Sequence, residues 1–113
     1  MKRVVIVTLV MFMFVAVAPN LLLAQDVASL TGEVTDKSGA VVPDVAVKLV
    51  DTKTNTAYET KTNSIGAYTF SRVLPGPGYS LTFSKEGFAS TTIGAIYLAV
   101  NTTHTQNAQL QIG

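Results

Sequence analysis

The side chains that carry most protein chemistry are scarce in this sequence. There is no cysteine, which removes thiolate nucleophiles, disulfide frameworks and thiolate metal sites together. His104 is the only histidine, so a site with two or three imidazole ligands is impossible, and a Ser-His-Asp triad would have to run through this one residue. It stands among Thr102, Thr103, Thr105 and Gln106, the composition of a solvent-facing strand, and catalysis is not expected of it. Asp36, Ser38 and Asp44 place oxygen ligands close together, as a calcium site would. Their spacing departs from the twelve-residue calcium loop, and Asp and Ser are ordinary turn residues, so a plain turn is the expectation. No metal and no cofactor is expected. Asn101-Thr102-Thr103 fits the glycosylation acceptor pattern, which is short enough to arise by chance. The remaining candidates are aromatic. A tyrosine ring offers an apolar face and a polar tip, the chemistry a sugar stacks on. Tyr68 and Tyr79 fall on a buried register, which leaves Tyr58 and Tyr97 as the candidate ligand contacts.

Charge narrows the partners further. Charged residues make up 13% of the chain and the formal net charge is +1. Two of the positive charges, Lys2 and Arg3, open an N-terminal segment with the layout of a secretory signal peptide. An uncharged apolar run from Val4 to Ala18 follows, then a Pro19-Asn20 break and a small residue, Ala24, at the expected cut. Residues 1–24 are therefore read as a signal peptide and 25–113 as one exported domain, periplasmic, outer-membrane-associated or extracellular. The competing reading is a retained anchor, since Val4–Ala24 reaches the roughly 20 residues that span a bilayer. From Gln25 on, six basic residues face seven acidic ones. That balance offers no electrostatic footprint for nucleic acid or anionic lipid.

The elements that position the tyrosines are strands. No stretch keeps a 3.6-residue period, whereas short runs of Val, Thr, Tyr and Phe alternate with polar residues between Gly, Asn, Asp and Pro. Residues 29–35 read as the first strand, closed by the turn Asp36-Lys37-Ser38-Gly39. Pro43 leads into a second, with Val45, Val47 and Leu49 on one face, and residues 57–62 make a third. The turn Thr62-Asn63-Ser64-Ile65-Gly66 precedes a fourth carrying Tyr68 and Phe70. Leu74-Pro75-Gly76-Pro77-Gly78 breaks the chain before a fifth carrying Tyr79, Leu81 and Phe83. Residues 90–100 make a sixth, open to interruption at Gly94. Its IGAIYLAV run is apolar on both faces and suits a central strand more simply than one covered by a partner. Residues 103–112 make a seventh. The pattern is a seven-stranded antiparallel Greek-key sandwich. Its expected core is Leu30, Val34, Val45, Val47, Leu49, Tyr68, Phe70, Val73, Leu74, Tyr79, Leu81, Phe83, Phe88, Ile96, Leu98 and Leu110.

Two spaced patterns run through these strands. The first is Gly32-x-Val34-x-Asp36-x-x-Gly39-x-x-Val42-Pro43-x-x-x-Val47. The second is Thr62-Asn63-x-x-Gly66-x-Tyr68-x-Phe70-x-x-Val73-x-Pro75, continued by Gly78-Tyr79-x-Leu81-x-Phe83 and Gly87-Phe88. Together they resemble the carboxypeptidase regulatory-like domains, a family with a transthyretin-like sandwich, over residues 30–88. Asp44 departs from the glycine usual after the proline, and Pro75-Gly76-Pro77-Gly78 permutes the usual linker. The resemblance implies an accessory module without catalysis. Such modules stand beside metallocarboxypeptidase catalytic domains and, after a signal peptide, at the N-terminus of TonB-dependent outer-membrane receptors. Transthyretin-like hydrolases of purine catabolism are a poor match, needing several histidines and an arginine. The expected function is thus an exported binding or spacer module whose partner is a protein or a neighbouring receptor domain, engaged at loops or by strand addition to a sheet edge. The second expectation is a small carbohydrate-binding sandwich using Tyr58 and Tyr97.

Overall fold

The computed structural model describes residues 26–113, so the signal segment and its cut lie outside the described residues. Period-2 alternation becomes two layers. In β1 (Ala28–Asp36), Ala28, Leu30, Gly32 and Val34 turn inward while Ser29, Thr31 and Glu33 face out. The same rule runs through β2 (Ala46–Asp51), β3 (Thr56–Lys61), β4 (Ala67–Val73), β5 (Gly76–Ser84), β6 (Thr91–Leu98), β7 (Thr103–Thr105) and β8 (Ala108–Leu110), broken by one residue at Ser71-Arg72 in β4 and at Gly94-Ala95 in β6. One sheet has the order β3-β2-β5-β6. The other has β1 at its centre, with β4 on one side and β7 then β8 on the other.

Three expectations change here. The last strand is two strands, because the chain kinks at Gln106-Asn107, and eight strands replace seven. The sandwich is not wholly antiparallel, since β7 and β8 both pair with β1 in parallel. And β6 is an edge strand rather than a central one. Its pairing with β5 slips between Tyr79↔Ile96 and Leu81↔Ile93, so one extra residue sits in β6 near Gly94, where the interruption was expected. Ala95 takes the left-handed backbone there, with φ 55°. The bulge resets the alternation, so Ile93 and Ile96 both turn inward. An apolar run on both apparent faces therefore needs burial on only one.

The core is the expected set with few changes. Ala28, Val42 and Ala108 join it, Phe88 packs half-buried against it, and Leu74 leaves it, lying 61% exposed just past the end of β4. Tyr68 stands at the centre, edge-on to Phe70 and to Phe83 of the opposite sheet, with centroids 6.0 and 5.5 Å apart. Thr62, the one buried polar residue among the described residues, holds the corner where the chain leaves β3 for β4. Its hydroxyl accepts from the Val45 N–H at 2.9 Å and donates to the Val42 carbonyl at 2.8 Å. Among the described residues no buried side-chain polar atom lacks a partner.

The strands traverse the sandwich alternately, with β7 and β8 sharing the final passage. Seven passages bring the chain in at one end, beside Val27, and out at the other, beside Gly113. The entry end also holds the β2–β3 and β4–β5 turns, and the exit end holds the Asp36 and Asn63 turns.

Candidate functional site

The turn Asp36-Lys37-Ser38-Gly39 is built as the sequence implied. The Asp36 carboxylate accepts from the Ser38 N–H at 2.9 Å, the Ser38 hydroxyl at 2.6 Å and the Ala40 N–H at 3.1 Å, while Gly39 takes φ 90°. The Ser38 hydroxyl, with these backbone donors, holds the Asp36 carboxyl below its ordinary value, opposed in part by burial. Three protein donors on one oxygen are what a turn provides. Among the described residues no group of three His, Asp or Glu side chains is placed to hold a metal ion. His104 pairs in register with Leu30 and is half-buried rather than solvent-facing, because parallel partners share a face. Asn101 lies exposed in a turn with φ 57°, and Thr102 caps that turn by donating to the Ala99 carbonyl at 2.7 Å.

The structure does not bring Tyr58 and Tyr97 together. Tyr58 pairs with Leu49 on the inner face of β3 and packs half-buried against the core. Tyr97 stands 62% exposed on β6, between the buried Ile96 and Leu98, and so on the outer face. They occupy opposite edges and opposite faces of one sheet. Tyr79, beside Tyr58, donates to the Leu74 carbonyl at 2.5 Å. Burial, then the nearby Tyr58 and Asp51, push its phenol up to about 12.

The two edges of this sheet differ in kind. Edge β3 carries Glu59 and Lys61, charges that discourage a further strand. Edge β6 carries none, and from Gly87 to Gly113 the chain has no Asp, Glu, Lys or Arg. β6 pairs regularly with β5 from Thr91 to Ile93, and its bulge interrupts the edge only near Gly94-Ala95. The outer face between them forms a shallow groove of about 420 Å³ over Ala46, rimmed by Lys48, Glu59, Lys61, Thr82 and Ser84. A second cleft, about 540 Å³, opens at the exit end between the Asp36 turn and Phe88, Leu110 and Ile112.

Sequence reasoning missed one constellation altogether. The Gln106 carbonyl passes directly over Gly32, so close that a Cβ there would lie 1.9 Å from it. The Tyr68 hydroxyl, from β4, donates to that same carbonyl. Burial raises the Tyr68 phenol well above its ordinary value, keeping it protonated as a donor. Gln106 N–H donates to the Thr31 carbonyl at 2.8 Å, and Glu33 N–H donates to Asn107 Oδ1 at 2.9 Å. Gly32 and Tyr68 were visible as motif residues, but their partner lies far along the chain and bears no mark in the sequence.

This geometry accounts for Gly32 and Tyr68 of the two spaced patterns, and the sequence matches the carboxypeptidase regulatory-like domain over residues 29–111. The chain belongs to the carboxypeptidase regulatory-like domain family. No curated protein matches it. Solved structures share its fold at low identity. A 3-chlorocatechol 1,2-dioxygenase from Rhodococcus opacus 1CP superposes with TM-score 0.63 at 14% identity, over 80% of this chain and 61% of that one. A carbohydrate-binding protein, so described provisionally, from Bacteroides uniformis gives 0.62 at 16%, over 76% and 42%. A minor pilin of Streptococcus agalactiae gives 0.60 at 14%, over 78% and 45%. The chain thus spans less than two thirds of each of these proteins.

Proposed function

We propose that this regulatory-like domain is an exported, non-catalytic spacer and binding module, akin to the accessory domain that precedes the plug of a TonB-dependent receptor. The observation that carries the reading is the uncharged β6 edge, with Tyr97 exposed beside it, opposite a charged β3 edge. An extended segment of a protein partner adds to β6 through main-chain hydrogen bonds, and Tyr97 contributes the side-chain contact. The N-terminal segment directs export, with cleavage after Ala24.

Site-specific photo-crosslinking in cells tests this. A crosslinker at Thr92 or Tyr97 is expected to trap one discrete protein partner, and the same group at Glu59 on β3 is not. Equal or absent adducts at the two edges would contradict it. Mass spectrometry of the purified chain is expected to find Gln25 at its N-terminus.

A second reading, carbohydrate binding, is favoured by the exposed Tyr97 ring and by the Bacteroides uniformis structure's description. It requires glycan-array binding that Tyr97→Ala abolishes and Tyr58→Ala leaves intact, since Tyr58 faces the core.

A further inference from the structure

The first and last strands of this domain lie side by side, parallel, and in the same sheet. The chain enters β1 at one end and leaves β8 at the other. Tension applied through the two termini therefore pulls β1 toward the entry end and β7–β8 toward the exit end. Adjacent parallel strands pulled this way slide against each other, and every hydrogen bond between them is loaded at once. In an antiparallel hairpin pulled from its open end the bonds break one at a time instead.

The seam is reinforced beyond its ladder. Ser29 N–H donates to the Thr102 carbonyl at 3.0 Å, Asn101 N–H to the Val27 carbonyl at 2.8 Å, and Gln106 N–H to the Thr31 carbonyl at 2.8 Å. Asn107 Oδ1 accepts from the Glu33 N–H, and Tyr68 reaches across from the third strand of the sheet to hold the Gln106 carbonyl. The kink at Gln106-Asn107, seated over Gly32, acts as a detent: sliding β7–β8 along β1 must lift the Gln106 carbonyl off its seat.

We propose that β1 and β7–β8 form a shear clamp, making the domain a load-bearing link between whatever is joined to its two ends. The biological use rests on the spacer reading above; the clamp is a property of the fold. The test is single-molecule force spectroscopy on the full chain, which has no native cysteine to compete with engineered handles. One pair of handles is a cysteine at position 26 and another appended after Gly113. The control pair is at positions 26 and 74, which opens the antiparallel β1–β4 ladder from one end. The terminal geometry is expected to unfold at a force at least about twofold higher at equal loading rate, forced unfolding being governed by the unfolding barrier. Tyr68→Phe, and Asn107→Ala should the first variant fold poorly, are expected to lower the terminal force more than the control force. Equal forces in the two geometries, or no effect of either variant, would overturn the clamp and leave the spacer reading standing. A chain found in cells with both ends unattached would remove the spacer reading and leave the clamp.

Discussion

The uncharged stretch from Gly87 to Gly113 supplies two outermost strands that behave in opposite ways. As β7–β8 it is locked onto β1 by backbone bonds and by the side chains of Tyr68 and Asn107. As β6 it is held to β5 by a ladder with two register shifts and a single hydroxyl contact, Thr82 to Thr92 at 3.1 Å. Composition does not separate them. What separates them is a glycine in each case: Gly32, which the β7–β8 kink crosses, and Gly94, which lies within β6 itself. Gly32 has no room for a side chain, because the Gln106 carbonyl occupies it, whereas a Cβ at Gly94 would meet nothing within 4 Å. One glycine is a seat and the other is slack, so one strand carries the fold and the other is left available.

Alanine at each glycine should break this comparison most sharply. Gly32→Ala forces the Gln106 kink outward and is expected to cost about 3 kcal/mol or more in urea unfolding, beyond ordinary overpacking. Gly94→Ala is expected to be neutral or stabilising by about 0.4–1 kcal/mol, since it restricts the unfolded chain without meeting an atom. Next in size, Tyr68→Phe leaves the Gln106 carbonyl without its hydroxyl donor and should cost about 1–3 kcal/mol.

The tyrosines also set an alkaline limit. The phenols of Tyr68 and Tyr79 are both raised above their ordinary value of 10.0, Tyr79 to about 12. A raised folded-state value favours the neutral form, so this stability is fully present below pH 10 and is lost as the pH climbs through 12. Thermal melts are expected to fall across that window, and Tyr79→Phe should flatten the fall. Smallest of all, Thr92→Val on β6 is expected to change stability by less than about 0.5 kcal/mol, against about 1 kcal/mol for Asn107→Ala at the seam.

The sheets themselves were legible because burial on one face writes a period of two into the sequence, and the Asp36 and Asn63 turns because their side chains bond their own backbones. Asn63 Oδ1 accepts from both Ile65 and Ala67. The seam was not legible. Strand direction leaves no local trace, and the kink at Gln106-Asn107 depends on Gly32 and Tyr68, both distant in sequence. The position of β6 misread for a different reason: a bulge of one residue shifts the phase, so IGAIYLAV looks two-faced while Ile93, Ile96 and Leu98 share one side. That Tyr58 and Tyr97 lie on opposite faces could not be read without knowing that β3 and β6 are the two edges of one sheet and where the β6 bulge falls.

Native-state hydrogen exchange tests the contrast between locked seam and free edge most directly. The amides of Ser29, Glu33 and Gln106 are expected to exchange only through global unfolding, with protection matching the whole domain's stability. The β6 amides, Thr92 to Tyr97, are expected to exchange through local opening at clearly lower protection. If β6 proves as protected as the seam, or the seam opens first, the account is wrong.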